Sequence, residues 1–352
     1  MRPAALVAVL FIAACATASA QPSASPTPSE TPQTPTATPA PTPTPVVDWP
    51  FSGAVAPGPD AIAKRPVLVR IPNDVSARPQ SGLAKADMVW ELLTEGGITR
   101  FMAVFHSEEV DQIGPIRSAR LSDLHLAPML RGILAHVGAS TIVLSRIRAA
   151  AARGEFVDVD ELLYGPYFTR VKFRNPPQNV YTSTARIREA AKAAGDTGRV
   201  AVPALPFSEG APMVTSDTKQ TFTIPYLGAM RVTYTYAADA GGYTRVQGGA
   251  TTVDATTGSA VVARNVIVLF TDITPQPGII EDVNGSPSLE VRTTGTGRAS
   301  IFRDGVRYDV TWSRQGDEMY KFTLDSGGEL ALERGQTWVH IVPSDWTVTS
   351  AP

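Results

Sequence analysis

Cysteine is nearly absent from this 352-residue chain: there is one, at position 15. No disulfide can form within the chain, so its core has to hold without cross-links. Histidine is scarce as well. His106, His125, His136 and His340 show none of the spacings that hold zinc or another metal, so neither a metal nor any other cofactor is expected. Charge of one sign is missing too: 31 Lys and Arg stand against 33 Asp and Glu, which excludes a nucleic-acid binder that relies on bulk positive charge. Past the first residues no apolar run approaches the roughly 18 needed to span a bilayer. There is no Walker loop, no His-Glu-x-x-His and no Gly-x-Ser-x-Gly. Ser216-Asp217-Thr218-Lys219 has a Ser-x-x-Lys spacing, but without helical context or a Lys-Thr-Gly partner it reads as chance.

Proline is the residue in excess, 30 in all, with ten of them between Gln21 and Pro50. The excess therefore belongs to one segment. Before it, Arg2 and the apolar run Ala4 to Ile12 have the layout of a secretory signal peptide within residues 1–20. Two cleavage sites compete. Ile12-Ala13-Ala14-Cys15 is like the lipobox of bacterial lipoproteins, in which the cysteine is acylated and becomes the first residue. Ala18-Ser19-Ala20 fits ordinary signal peptidase and a soluble secreted product. The lone cysteine sits where a lipobox needs it, and a secreted protein otherwise avoids a single reactive thiol. An extracytoplasmic protein held to the membrane by a lipid on Cys15 is the expectation, with the secreted form as the alternative. Residues 21–50, mainly Thr-Pro, Ser-Pro and Ala-Pro units, favour polyproline II and cannot build a core. At about 3.1 Å per residue such a tether reaches on the order of 100 Å.

Residues 51–200 alternate strand-like and helix-like segments. Val67 to Ile71, Met88 to Leu93 and Thr99 to Phe105 read as strands, the last two joined by the hairpin signal Glu95-Gly96-Gly97. Ser118 is placed as the cap of a helix carrying Leu121 and Leu124. Ile133 to Val137 returns as a strand, Ser140 opens a helix through Ala152, and Thr184 to Ala194 forms another. An α+β or α/β first domain is expected here. After a Pro-rich joint at 201–212 the helical period disappears. Over 213–352, Val232 to Tyr236, Asn265 to Phe270, Leu289 to Thr293, Arg298 to Arg303, Arg307 to Trp312, Tyr320 to Leu324 and Thr337 to Val342 are β-type runs between turns, giving a β-rich second domain. Residues 51–200 hold 19 basic and 15 acidic side chains, and 201–352 hold 11 and 16. An anionic ligand would favour the first domain.

Several strings carry a resemblance. Arg65-Pro66-Val67, Asn73, Ala77-Arg78-Pro79-Gln80-Ser81-Gly82-Leu83, Ala86-Asp87, Glu95-Gly96-Gly97-Ile98-Thr99-Arg100 and Ile113-Gly114-Pro115-Ile116-Arg117-Ser118-Ala119-Arg120 fall in the first half. Asn179-Val180-Tyr181-Thr182-Ser183, Gly305, Trp312-Ser313-Arg314 and Gly335-Gln336-Thr337-Trp338 follow. In this order they resemble the YerB-like family of bacterial envelope lipoproteins, over essentially the whole mature chain. The resemblance implies location and a two-domain architecture but no reaction, because the family's domains have no assigned function. It adds Asn73 and Arg78 to the candidate site. Family members commonly carry Asp before the asparagine matched by Asn73; here that residue is Pro72, which removes a carboxylate that could act as a base.

The residues themselves point to one cluster. Glu91, Leu93 and Glu95 alternate, so on a regular strand both carboxylates share a face. Arg100 begins the returning strand across the hairpin. Arg117 and Arg120, three apart at the expected helix start, suit a phosphate or carboxylate. His136 ends the strand after that helix. Read as a site, Glu91, Glu95, Arg100, Arg117, Arg120 and His136 would hold an anion beside an acid/base pair. Read as structure, the glutamates and arginines neutralise one another in a buried network. Tyr234, Tyr236 and Tyr243 are either a sugar-stacking surface or half-buried sheet.

Two functions follow. One is a non-catalytic module that binds a cell-wall polymer, a lipid-linked precursor or a wall-synthesis protein through a basic cleft in the first domain, touching the membrane only through its lipid. The alternative is an envelope hydrolase or transferase acting on a phosphorylated or acidic glycan, an analogy of residue type. If Cys15 is the acylation site, Cys15→Ser leaves an unprocessed precursor by gel mobility and mass; normal processing after Ala20 in that variant would instead make the protein a secreted one.

Overall fold

The computed structural model describes residues 46–210, 217–218 and 220–351. Cys15, the signal, the tether up to Pro45, and Ser216 and Lys219 of the Ser-x-x-Lys string lie outside the described residues. The fold begins inside the segment expected to be tether: Val47–Asp48 pairs antiparallel with Val55–Ala56, and Trp49 is buried edge-on against His106, 4.9 Å between ring centres.

In the first half, apolar runs make strands β1 (Val67–Pro72), β2 (Met88–Leu93) and β3 (Thr99–Phe105). Helix α1 (Asp123–Leu130), strand β4 (Ile133–His136), helix α2 (Thr141–Ala152), strand β5 (Val157–Asp160) and helix α3 (Thr184–Ala193) follow. In α3 the apolar positions Ile187, Ala190 and Ala191 recur at helical spacing and are buried, and the Ser183 hydroxyl accepts from the Arg186 amide at 3.2 Å. The second half is strand-rich, as its alternating pattern indicates. It contributes β6 (Thr221–Ile224), β7 (Val232–Ala237), β8 (Gly242–Gln247), β9 (Asn265–Thr271), β10 (Gly295–Arg303), β11 (Val306–Arg314) and β12 (Thr337–Pro343).

The two halves share one sheet. Its eleven strands include the run β11-β10-β9-β12-β2-β3-β1-β4-β5, with the short strands Asp217–Thr218 and Lys321–Leu324 pairing on β11. Strand β12, from the far end of the chain, lies parallel to both β9 and β2, so a second-half strand is hydrogen-bonded directly to a first-half strand. Both faces of this region are covered, which is why β9 and β12 read as near-continuous apolar runs. On one face sits a six-stranded sheet containing β8-β7-β6, together with α3; Phe222, Tyr234 and Tyr243 pack there with Phe302 and Trp338. Helices α1 and α2 cover the other face with Leu126, Met129, Val143 and Ile147.

One expected helix start is wrong. Residues 117–120 are not helical; α1 begins at Asp123, whose carboxylate accepts from the Arg120 amide at 2.7 Å. The preceding backbone is committed elsewhere: Arg117 N–H donates to the Arg70 carbonyl and Ala119 N–H to the Gly138 carbonyl. Those partners hold the stretch extended, and Ser118 therefore caps nothing.

Candidate functional site

The strand β2 ends at Leu93, and Glu95-Gly96-Gly97 forms a tight helical turn with Gly96 at φ 70°. Glu95 therefore belongs to the turn and lies past the end of the strand alternation. Glu91 and Glu95 consequently point to opposite faces of the sheet, contrary to the regular-strand expectation. Sequence-predicted residues fall into three separate places.

In the first, Glu95 is buried in an ion-pair cluster. Arg120 donates to both its oxygens, with Nε to Oε2 at 2.7 Å, and Arg100 Nη2 lies 3.7 Å away. Arg100 also donates to the Ser118 carbonyl at 2.9 Å, and Glu281 reaches Arg120 at 3.5 Å. Arg70, fully buried, faces Asp123 at 3.3 Å. Burial would raise the Glu95 pKa, but hydrogen bonds and charge from Arg120, with the charge of Arg100, hold it below the ordinary carboxylate value. Burial, then the charge of Arg120, pushes Arg100 down to about 9. Arg117, half-buried, joins no ion pair among the described residues. Mutual burial of Glu95, Arg100 and Arg120 is the structural arrangement, not an open cleft.

His136 stands alone. It is fully buried, with Nε2 2.7 Å from Asp158 Oδ1 and Nδ1 2.9 Å from the Gly138 carbonyl. Both partners only accept, so both ring nitrogens are satisfied when the ring is cationic. Burial opposes that charge, yet the hydrogen bond and charge of Asp158 raise its pKa above the ordinary value.

The third place unites Glu91, Asn73 and Arg78 with residues that sequence reading did not select. Glu91 is fully buried on β2, facing the second sheet. Its Oε2 accepts from Arg245 Nη2 at 2.7 Å, and its Oε1 from Thr99 at 2.7 Å and Asn73 Nδ2 at 3.0 Å. His340, its register partner on β12, lies 3.4 Å away. The His340 ring also meets the Tyr234 hydroxyl at 2.9 Å, and burial pushes its pKa down to about 4, so it is neutral near pH 7. Arg245 lies over Trp338, 4.8 Å from the ring centre.

Asn73 links this buried group to the surface. Its carbonyl accepts from Arg78 Nη2 at 2.8 Å and Nε at 3.1 Å, and its side-chain oxygen from Gln80 at 3.3 Å. Beside them opens a pocket of about 250 Å³ lined by Arg78, Pro79, Gln80, Gln247 and Ala250 to Val253. Arg245 Nη1 donates to Gln247 Oε1 at 2.9 Å and to Thr252 Oγ1 at 2.8 Å, so the pocket wall rests on the buried cation. The tight Gly248-Gly249 turn shapes this wall; both have positive φ, and a Cβ on Gly248 would stand 3.0 Å from the Ala229 carbonyl. The available signal for Arg245 was a charge on the same strand face as Tyr243 and Gln247.

Tyr234 and Tyr243 are fully buried, and burial raises both hydroxyl pKa values; they are core, not a sugar-stacking surface. Among the described residues no group of three His, Cys, Asp or Glu side chains could hold a metal ion.

The ion-pair geometry predicts a contrast. Arg120→Ala strands the buried Glu95 carboxylate and costs about 3–5 kcal/mol of folding stability. Arg117→Ala changes it by about 0.5 kcal/mol or less. Urea unfolding of both variants checks this; a mild effect at Arg120 would contradict the buried-pair assignment.

Comparison with known proteins places this architecture. Residues 51–197 match the family described as "Protein of unknown function (DUF3048) N-terminal domain", and residues 222–339 match its C-terminal domain. The chain is 33% identical over 289 residues to "Putative lipoprotein YerB" of Bacillus subtilis, covering 80% of this chain and 82% of that one. The crystal structure of YerB from Bacillus subtilis superposes with a TM-score of 0.74 at 29% identity, covering 87% of this chain and all of the other. With both domains matched in order and the fold shared, this chain belongs to the YerB-like DUF3048 family.

Proposed function

We propose that this protein is an extracytoplasmic lipoprotein, anchored through Cys15, that binds a small anionic group of the cell envelope in the Arg78 pocket. The printed name of its Bacillus subtilis relative supports the lipoprotein part, as do the apolar leader and lipobox-like string. The pocket replaces the cleft expected around Arg117 and Arg120.

The observation that carries the reading is a half-buried guanidinium, Arg78, lining a cavity. Two guanidiniums, Arg78 and Arg245, stand with the carboxylates of Glu91 and Asp74, and His340 is neutral. Burial first, and then the charge of Arg245, lowers the Arg78 pKa. An anion seated against Arg78 would relieve that repulsion. Gln80, Gln247, Thr251 and Thr252 line the same pocket, and Arg78 offers the charge for a carboxylate or phosphate on a wall peptide or polymer.

Calorimetric titration with a soluble wall-peptide fragment bearing free carboxylates, and with a short poly(glycerol phosphate), tests this. Binding of either probe should weaken roughly 10- to 150-fold in Arg78→Ala. Arg78→Lys, which keeps the charge but loses the fork, should fall between. Equal binding by all three forms, or no binding to the unmodified protein, would overturn the proposal.

A further inference from the structure

Away from the pocket, three large apolar side chains stand in water on two segments joined by an ion pair. Leu162 and Leu163, on the helical turn Glu161–Tyr164, are 63% and 60% exposed, and Phe173 is 65% exposed. Phe173 projects from the loop joining the paired strands Thr169–Arg170 and Val180–Tyr181, its ring edge-on to Tyr181 at 5.5 Å. The Arg170 guanidinium donates to Glu161 at 2.8 Å and so bridges the loop to the turn that carries the leucines.

Three exposed cations flank these tips, with one exposed carboxylate, Asp111, lining the same hollow as Arg186. Arg170, Lys172 and Arg186 are exposed, and Arg186 bonds Thr169 at the base of the loop. The Glu161 carboxylate is spent on Arg170. A polyanionic wall polymer would satisfy the cations but leave Leu162, Leu163 and Phe173 in water. The interface of an anionic bilayer takes both, with the apolar tips entering the headgroup boundary and the cations meeting lipid phosphates.

We infer that this face, Leu162, Leu163 and Phe173 ringed by Arg170, Lys172 and Arg186, docks on an anionic phospholipid surface. The protein would then contact the membrane with its folded body as well as with a lipid. The inference rests on the proposed function for the extracytoplasmic location and the lipid on Cys15, and is independent of the Arg78 pocket.

The test is hydrogen–deuterium exchange of the acylated full chain reconstituted in vesicles of phosphatidylglycerol with phosphatidylcholine, or of phosphatidylcholine alone. Peptides covering 161–175 should exchange about tenfold more slowly on the anionic vesicles. The protection should fade at high salt and be lost in the double variant Leu163→Ser, Phe173→Ser, whose exchange elsewhere should be unchanged. Equal exchange on both vesicles, protection that survives the double variant, or protection produced only by added poly(glycerol phosphate) would overturn the inference.

Discussion

At the junction of the two halves a single desolvated carboxylate, Glu91, is held by an arginine from 154 residues later in the chain. Neither charge is tolerable there alone. Removing a carboxylate from water costs several kcal/mol even after relaxation, and only close pairing with further hydrogen bonds offsets it. Here the remaining acceptor capacity of Glu91 is filled by Thr99 and Asn73, and Arg245 is spread over Gln247, Thr252 and the face of Trp338. The second sheet can therefore dock on the first only in a register that brings Arg245 to Glu91. Apolar packing of Phe222, Tyr234 and Tyr243 supplies the bulk of the attraction, because it is proportional to area and indifferent to register. The ion pair makes the arrangement specific.

Much of this was legible residue by residue, and the reason is local. Met88 to Leu93 and Thr99 to Phe105 were readable as strands because β-rich apolar runs flank a Gly-Gly turn, and Ser183 and Ser140 mark helix starts by position. What could not be read is non-local. Nothing in Thr337 to Val342 states that it inserts between β9 and β2, since parallel neighbours are set by the whole topology. Glu95 departs from the alternation because the strand stops at Leu93 and Glu95 already belongs to the helical turn, which spacing alone does not show. Ser118 resembles a cap and so suggests a helix at Arg117 and Arg120, while Asp123 competes for the same start and the backbone partners that decide between them are distant in sequence. Family resemblance points to Asn73 and Arg78; Asn73 bonds Glu91 and Arg78 bonds Asn73, and of the three only Arg78 lines the pocket.

Arginine serves three different purposes in this fold, which explains why residue type was a poor guide to the site. Arg100 and Arg120 neutralise Glu95 and lock a turn against an extended crossing segment. Arg245 is a buried counter-ion. Arg78, half-buried, has its pKa lowered by burial and then by the charge of Arg245, and it also lines a cavity that a ligand can enter. Closed ion pairs have nothing left to offer a ligand, so function is expected at a cation that also lines a cavity.

The most direct test of the central contact is a double-mutant cycle on the unfolding free energy of Glu91→Gln, Arg245→Met and the double variant. Each single change should cost about 3–5 kcal/mol by leaving an unpaired buried partner. The double variant should be less destabilised than their sum by more than about 1 kcal/mol, with all forms unfolding in one transition. Additive costs, or separate unfolding of the two halves with the unmodified residues in place, would contradict the account.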